Sequence, residues 1–395
     1  MDNLSINSIK AYRQSIKKYE QFHMKDIGDL IDEALEEQTN QVPHHLLKII
    51  DRLEDFQQYL IDCNLTVKTI QLHMNLIKTI YSKNRVDIPY IEHLNSKKCR
   101  KREVIEFKDI LTKDEIRCCL KHMRPPAQAR AMAILQGGLS NEECEHFTTR
   151  NFIDELQKYH QCDDDMDALV WLSNRNNPVV WVTKLKRVKT GKPYYAVIGA
   201  EAVNMIASAK IYESELPKNK GKIPEKLLNM NKSSFARVCY NTNKRCRLGL
   251  VAEESKFRSH MLRKFYATHI RGSTLTYEEN VRISNSEIDE LQGRGKTAVQ
   301  DTYIKTNPLE QKLIYAKVMN NVCLFNEYEY EITDGDVIVH LIDKVSENQE
   351  LRKEVKSLEQ KLQQKRKASD KVRKLREELG NELFDEMMGE ILNAK

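Results

Sequence analysis

Four residues between positions 260 and 303 have types and spacing suited to chemistry on an anion. His260 and Arg263 are three residues apart in a stretch with helical periodicity, so they share one helix face. Tyr303 follows Arg294 by nine residues and stands in a polar stretch. A guanidinium matches the geometry of a phosphate, and an imidazole or a phenol can take part in proton transfer. Each residue alone is more often structural than functional, so the prediction rests on their combination.

Two lysines further upstream lie in a predicted hairpin turn. From residue 169 to 198 the apolar period changes from that of helices to that of strands. Within this stretch, Lys189-Thr190-Gly191-Lys192 is a turn signal between two strands. The sequence therefore predicts a hairpin over residues 184–192 that offers Lys189, or alternatively Lys192, to a site.

Apolar stripes predict the helices that must position these residues. Residues 5–84 carry three stripes at helical spacing, the last entered through Thr66 as an N-cap. The stripes are Ile9, Tyr12, Ile16, Tyr19 and Phe22; Leu46, Ile49, Leu53, Phe56 and Leu60; and Ile70, Met74, Ile77 and Tyr81. Further on, Thr112 and Glu115 have the spacing of a capping box. The small apolar residues 129–136 predict a buried helix, and Ser259 is expected to cap the helix that carries His260.

A basic run without apolar periodicity separates the first helical region from the rest. It consists of Lys97, Lys98, Arg100, Lys101 and Arg102. We predict a helical domain over 1–95, a basic linker over 96–108, a second domain over 109–322 and a tail over 323–395. The linker either follows a phosphate backbone or is merely a soluble connection.

The tail is predicted to be helical, with a short coiled-coil seam. Leu341, Asn348, Val355 and Leu362 fall every seventh residue, and Leu351 and Leu358 fall between them. Such a helix would pair with another copy or dock on the protein's own body. The alternative is a charged, exposed helix without a partner.

Composition is that of a soluble protein. Charged residues make up 31% and apolar residues 40%, and the net charge of +6 permits an anionic partner without requiring one. No apolar run reaches the roughly 18 residues of a membrane span, and the first residues lack the features of a secretory signal. We expect a cytoplasmic protein.

The sequence offers no obvious metal site. None of the nine cysteines stands in a Cys-x-x-Cys pair, which is typical of reduced structural thiols rather than of disulfides or zinc ligands. The acidic run Asp163, Asp164, Asp165 and Asp167 lacks the glycine and spacing of a calcium loop, so a solvated loop is expected.

Together these residues resemble the tyrosine recombinase (phage integrase) family over roughly residues 5–320, and they look most like integrases of archaeal mobile elements. Gly138-Leu139 and Glu143 match the family's first box, and Lys189 its hairpin lysine, with Lys192 as the alternative. His260 and Arg263 match the His-x-x-Arg box. Gly293-Arg294 takes the Gly-His position, and Tyr303 takes that of the nucleophile.

The resemblance implies a mainly α fold with a small β-sheet (α+β), in which a helical core-binding domain precedes a catalytic domain. It implies a site-specific recombinase that cleaves and rejoins DNA through a 3′-phosphotyrosyl link, without a cofactor or a metal. The implied partners are double-stranded DNA and further copies of the chain, forming a tetramer on DNA. The basic run and Lys192 would contact the DNA backbone.

One departure from the family pattern puts catalysis in doubt. Ser140 stands where the first box has an arginine, and losing one oxyanion-stabilising donor costs about 10²–10³ in rate. Arg294 or Arg150 could restore the charge. The alternatives are a DNA-binding protein that has lost cleavage and a type IB topoisomerase. The helical N-terminal region and the tail favour recombination over the topoisomerase.

We expect Tyr303→Phe to abolish covalent protein–DNA adducts while leaving DNA binding nearly unchanged, because only the hydroxyl is removed. Adducts are trapped on a nicked duplex that carries the attachment site, and they are resolved on a denaturing gel. Adducts at normal yield would show that another residue is the nucleophile.

Overall fold

The described part of the chain is mainly helical with three small antiparallel strand pairs, which confirms the predicted fold class. This computed structural model describes residues 5–88, 90–92, 94–101, 103–271, 283–294, 307–333 and 336–342. Two compact units lie within residues 1–105 and 106–395. Within the described ranges, no helix is both long enough and apolar enough to cross a membrane.

Four helices build the first unit: α1 (Ile6–His23), α2 (Ile27–Thr39), α3 (Lys48–Asp62) and α4 (Val67–Lys83). Their apolar stripes meet in one core around the fully buried Tyr19, Phe56 and Tyr81. The Tyr19 and Tyr81 hydroxyls are 3.1 Å apart and satisfy each other inside this core. The predicted stripes are correct except at Leu46, which is 61% exposed in a short 3₁₀ turn that precedes α3.

The basic run packs in part on the first unit. Cys99 is buried in its core, and Arg100 forms an isolated β-bridge with Thr66, the N-cap of α4. The side chains of Lys97, Lys98 and Lys101 are exposed. Arg102 lies outside the described residues.

The second unit begins with α5 (Lys113–Lys121), α6 (Pro125–Gly137), α7 (Thr149–His160) and α8 (Asp165–Ser173). The predicted capping box is present at the start of α5, where Glu115 N donates to Thr112 Oγ1 at 3.2 Å and Thr112 N donates to Glu115 Oε2 at 2.9 Å. The predicted burial of residues 129–136 is also confirmed, because α6 is covered by its neighbours along that whole stretch.

Two expectations about residues 163–173 were wrong. The stretch from 169 is not yet strand, because α8 continues to Ser173 and buries Ala168, Leu169 and Leu172. The acidic run is not simply a loop either. The Asp164 carboxylate accepts hydrogen bonds from the amides of Met166 and Asp167, at 2.7 and 3.0 Å, and so caps α8.

The predicted hairpin is present. β1 (Trp181–Lys186) pairs with β2 (Pro193–Ile198), with Trp181 opposite Ile198 and Lys186 opposite Pro193. The turn is closed by Arg187 N, which donates to Lys192 O at 2.8 Å. Gly191 takes the left-handed conformation that this turn requires, with φ +68°.

The remaining elements run from the hairpin to the C-terminal end of the described chain. They are α9 (Ala200–Glu215), α10 (Lys232–Arg245), the short strands β3 (Leu250–Val251) and β4 (Glu254–Ser255), α11 (Ser259–His269), α12 (Asn285–Leu291) and α13 (Pro308–Val318). Helix α6 lies at the centre of the unit and packs against α9, α11 and β2.

The predicted helical tail starts with a different structure. Residues 327–342 form an antiparallel hairpin of β5 (Glu327–Thr333) and β6 (Asp336–Ile342), so Leu341 is in a strand and does not open a heptad seam. A period of two explains the difference: Val337 and Val339 are buried, whereas Ile338 between them is exposed. The rest of the predicted seam, from Asn348 to Leu362, lies outside the described residues.

We expect deletion of residues 337–395 to destabilise the second unit relative to a chain that ends at Ile342. The longer deletion removes β6 and its two buried valines, each worth about 1.5–3 kcal/mol. The free energies of unfolding of the two truncated chains, measured in urea, should therefore differ by about 3 kcal/mol or more. Equal unfolding free energies would mean that β6 does not contribute to the core.

Candidate phosphate-binding site

The turn after α6 places a buried carboxylate at the centre of the site. Ser140 N donates to Glu143 Oε2 at 2.7 Å, and Glu143 N donates to Ser140 Oγ at 3.2 Å. Gly138 allows the chain to leave α6 here. Its φ is +58°, and an added Cβ would lie 2.5 Å from the Tyr266 ring. The serine that departs from the family pattern therefore has a structural role, which is to fix Glu143.

Arg263 reaches this carboxylate from α11. Its side chain is 11% exposed, and Nη1 lies 3.5 Å from Oε2 of Glu143, which is itself 2% exposed. Nη2 donates to the carbonyl of Gln292 at 3.1 Å. Burial lowers the pKa of the Arg263 guanidinium, and Glu143 opposes that shift. An arginine nevertheless stays charged at any pH at which the protein works.

Tyr194 and Gly293 pack directly against each other beside this pair. Gly293 has φ +61°, and an added Cβ would lie 2.7 Å from the Tyr194 ring. Burial raises the pKa of the Tyr194 hydroxyl, and the adjacent Glu143 charge raises it further. The phenol therefore stays protonated and can share its proton with the carboxylate.

Three arginines converge on residues 292–294, and we call Arg187, Arg263 and Arg294 the arginine cluster. Arg187 lies at the start of the hairpin turn, and its Nη1 donates to the carbonyl of Gly293 at 2.7 Å. Arg263 bonds the preceding carbonyl, so the two guanidiniums are held on consecutive peptides. The charges of Arg294 and Arg187 each lower the pKa of Arg263, so each acts on its guanidinium.

The cluster carries more positive than negative charge. Glu143 faces Arg263, and Asp289 lies 3.4 Å from Arg294 in a pair that is about half exposed. An exposed ion pair of this kind contributes little to stability. Like charges gathered on a rigid frame attract an anion, and a phosphate oxygen is the acceptor that guanidinium groups match best.

Arg187 is the member of the cluster that we did not predict. The turn signal predicted Lys189 or Lys192 as the site cation. The cation that contacts the other site residues is Arg187, two residues before Lys189. Its position just after the last residue of β1 was the only available signal. Lys189 is exposed on the turn and Lys192 is half-buried beside it.

Arg150, an expected substitute for the missing arginine, does not join the cluster. It is held by two carboxylates on α7 and α8, Asp154 at 2.9 Å and Asp165 at 3.2 Å. That expectation was wrong, because a local pair on the α7 surface competes for this side chain.

His260 lies in the first turn of α11. Although the side chain is exposed, partial burial lowers its pKa, and the charges of Lys264 and Arg258 lower it further. The imidazole is therefore neutral at pH 7 and can accept a proton. Ser259 does not cap this helix. It is the first helical residue, and Arg258 occupies the N-cap, where its side chain makes no capping hydrogen bond. The predicted nucleophile, Tyr303, lies outside the described residues.

Comparisons with known proteins add only weak similarity. No protein-family model matches the sequence, and no curated protein matches it. Among solved structures, the chain is similar to a crystal structure of XerA recombinase, with 14% sequence identity, coverage of 80% of this chain and 93% of that chain, and a TM-score of 0.32. A similarity with so low a TM-score does not support an inference about function, so function is inferred from the chain's own residues.

We expect Gly293→Ala to damage the site more than Gly191→Ala does. Both glycines have positive φ, so each substitution costs about 1–2 kcal/mol in backbone strain. Only Gly293 also faces a ring, whereas Gly191 has open space around it. Gly293→Ala should therefore lose about 1–3 kcal/mol more in chemical unfolding, because the Tyr194 ring must move. Equal losses of unfolding free energy would show that the contact between Gly293 and Tyr194 does not add to the cost of the substitution.

Proposed function

We propose that the chain is a site-specific DNA recombinase that holds a DNA phosphate in the arginine cluster and attacks it with Tyr303. The observation that carries the proposal is the convergence of Arg187, Arg263 and Arg294 on residues 292–294. The pair His260 and Arg263 and the pair Gly293 and Arg294 were predicted separately and lie on different elements. The hydrogen bond from Arg263 to Gln292 O brings them to one place.

The proposed reaction balances without a cofactor. The Tyr303 oxygen forms a bond to phosphorus, and the bond from phosphorus to the 5′-oxygen breaks. The tyrosine proton passes to a base, for which His260 is a candidate because its lowered pKa keeps the imidazole neutral and able to accept a proton. Lys189, exposed on the turn, returns a proton to the departing 5′-oxygen. Arg263 and Arg187 stabilise the charge that develops on the non-bridging oxygens.

Arg187 supplies the guanidinium that the first box lacks. The side chain of Ser140 is used to position Glu143, so this turn contributes no cation. Arg187 reaches the carbonyl of Gly293 from the hairpin, next to the Gln292 carbonyl that Arg263 bonds. Two guanidiniums on consecutive peptides can hold two phosphate oxygens at once.

DNA binding on the first unit is proposed to involve the exposed Lys97, Lys98 and Lys101, with Arg100 and Arg102 from the same run. Lysines that neutralise backbone phosphates release counterions, so affinity should fall steeply as salt rises. This contribution does not depend on the cleavage site.

A second candidate function is DNA binding without cleavage. It is favoured by Ser140, because the first-box arginine is absent and the serine is already committed to the turn. The two candidates differ in one product, the covalent adduct between protein and DNA.

We expect Arg187→Ala to reduce adduct formation by about 10²–10³, the usual cost of losing one charge-stabilising donor. DNA binding should change little by comparison. The substrate is a nicked duplex that carries an attachment site selected by binding from random duplexes, and adducts are counted over time. Arg150→Ala is the matched control, because this arginine is exposed and paired away from the cluster.

Ser140→Arg introduced into the Arg187→Ala chain tests whether the two positions share a role. Recovery of adduct yield would support the substitution of one arginine for the other. Wild-type yield in Arg187→Ala alone would exclude Arg187 from the reaction. Absence of adducts from the unmodified chain on a bound nicked site would favour the binding protein.

A further inference from the structure

Three soft metal-ligating groups meet on the surface of the second unit, on elements that are far apart in sequence. Cys118 lies on α5, His122 is the C-cap of that helix, and Cys246 is the C-cap of α10. The Cys118 and Cys246 sulfurs are 3.4 Å apart. One donor atom from each of the three residues falls within 4.8 Å of the other two.

Helix geometry accounts for two of the three positions. Cys118 and His122 are four residues apart, so their side chains lie on the same face of α5. Cys246 follows the end of α10, where its amide bonds Thr242 O at 2.9 Å and fixes its backbone. Cys118 and His122 are exposed and Cys246 is half-buried, so an ion can reach all three from solvent.

We propose that Cys118, His122 and Cys246 form a structural zinc site, with water as the fourth ligand. Thiolate and imidazole are the groups that zinc prefers in proteins. Two zinc–sulfur bonds of about 2.3 Å at the tetrahedral angle place their sulfurs about 3.8 Å apart, close to the distance observed here. A disulfide needs about 2.05 Å between sulfurs.

The charge of this surface also suits such an ion. Lys121, Arg245 and Arg247 are neighbours of the three ligands in the chain. A zinc ion with two thiolates and a neutral imidazole carries no net charge, so it adds no positive charge to this basic surface. Carboxylates are not among the three donors, so a hard cation such as calcium is not favoured.

Zinc here would fix α5, which already connects distant parts of the unit. Glu115 pairs with Lys256 at 2.6 Å, just before α11. On the other side, Lys113 Nζ donates to Asn320 O at 3.0 Å and Arg117 Nε donates to Leu324 O at 2.6 Å. A metal link from α5 to α10 would add a third attachment, made by residues 128 positions apart in the chain.

The test uses the full chain, reduced and stripped of metal with a chelator. Cobalt(II) is the probe, because its tetrahedral thiolate complexes absorb in the near ultraviolet and the visible. We expect one equivalent to bind, zinc to displace it, and zinc to raise the melting temperature by on the order of 5–10 °C at about 100 times its dissociation constant.

The variants Cys118→Ser, Cys246→Ser and His122→Ala should each weaken cobalt binding by at least about 100-fold, since even an outer-shell change costs 10–100-fold. Cys63→Ser and His45→Ala, which alter exposed residues of the first unit, are the matched controls. Because Cys118 and His122 are exposed, their replacement should leave the circular dichroism spectrum unchanged.

Three results would overturn the assignment. The first is a wild-type chain that develops no sulfur-to-cobalt band. The second is binding that survives Cys118→Ser but requires Cys119, the adjacent buried thiol, which also lies near Cys246. The third is a chain in which two of the nine thiols disappear without reductant and which binds no cobalt after reduction, because the pair then serves as a disulfide and not as metal ligands.

Discussion

The buried carboxylate of Glu143 is the group on which the candidate site depends. A charge that is 2% exposed must be compensated by partners, because desolvation alone would cost several kcal/mol. Its partners come from two separate elements: the Ser140 amide from the turn after α6 and Arg263 from α11. Satisfying one carboxylate therefore fixes the relative positions of both elements.

A second buried carboxylate has the same role further along the chain. Glu201, in the first turn of α9, accepts the amides of Leu324, Phe325 and Asn326 at 2.6–2.8 Å. Burial raises the pKa of Glu201, and these three amides oppose the shift. The chain beyond α13 is anchored in this way, while Gly293 is anchored against Tyr194.

The sequence predicted what local chemistry determines. The capping box at Thr112, the hairpin turn at 189–192 and the helical stripes were found because each signal lies within a few residues. The length of α8 and the strand at Leu341 were missed, since short apolar runs fit helix and strand alike and packing decides between them. Arg187 and the Cys118–Cys246 contact could not be predicted, because their partners lie about a hundred residues away.

Moving a cation from the first box to the hairpin changes how the proposed site works. An arginine at position 140 would sit on a turn fixed to the core, whereas Arg187 stands two residues from Lys189 on an exposed turn. Arg187 and Lys189, the proposed leaving-group acid, would then move together. The hydrogen bond from Arg187 to Gly293 O would hold both residues in place.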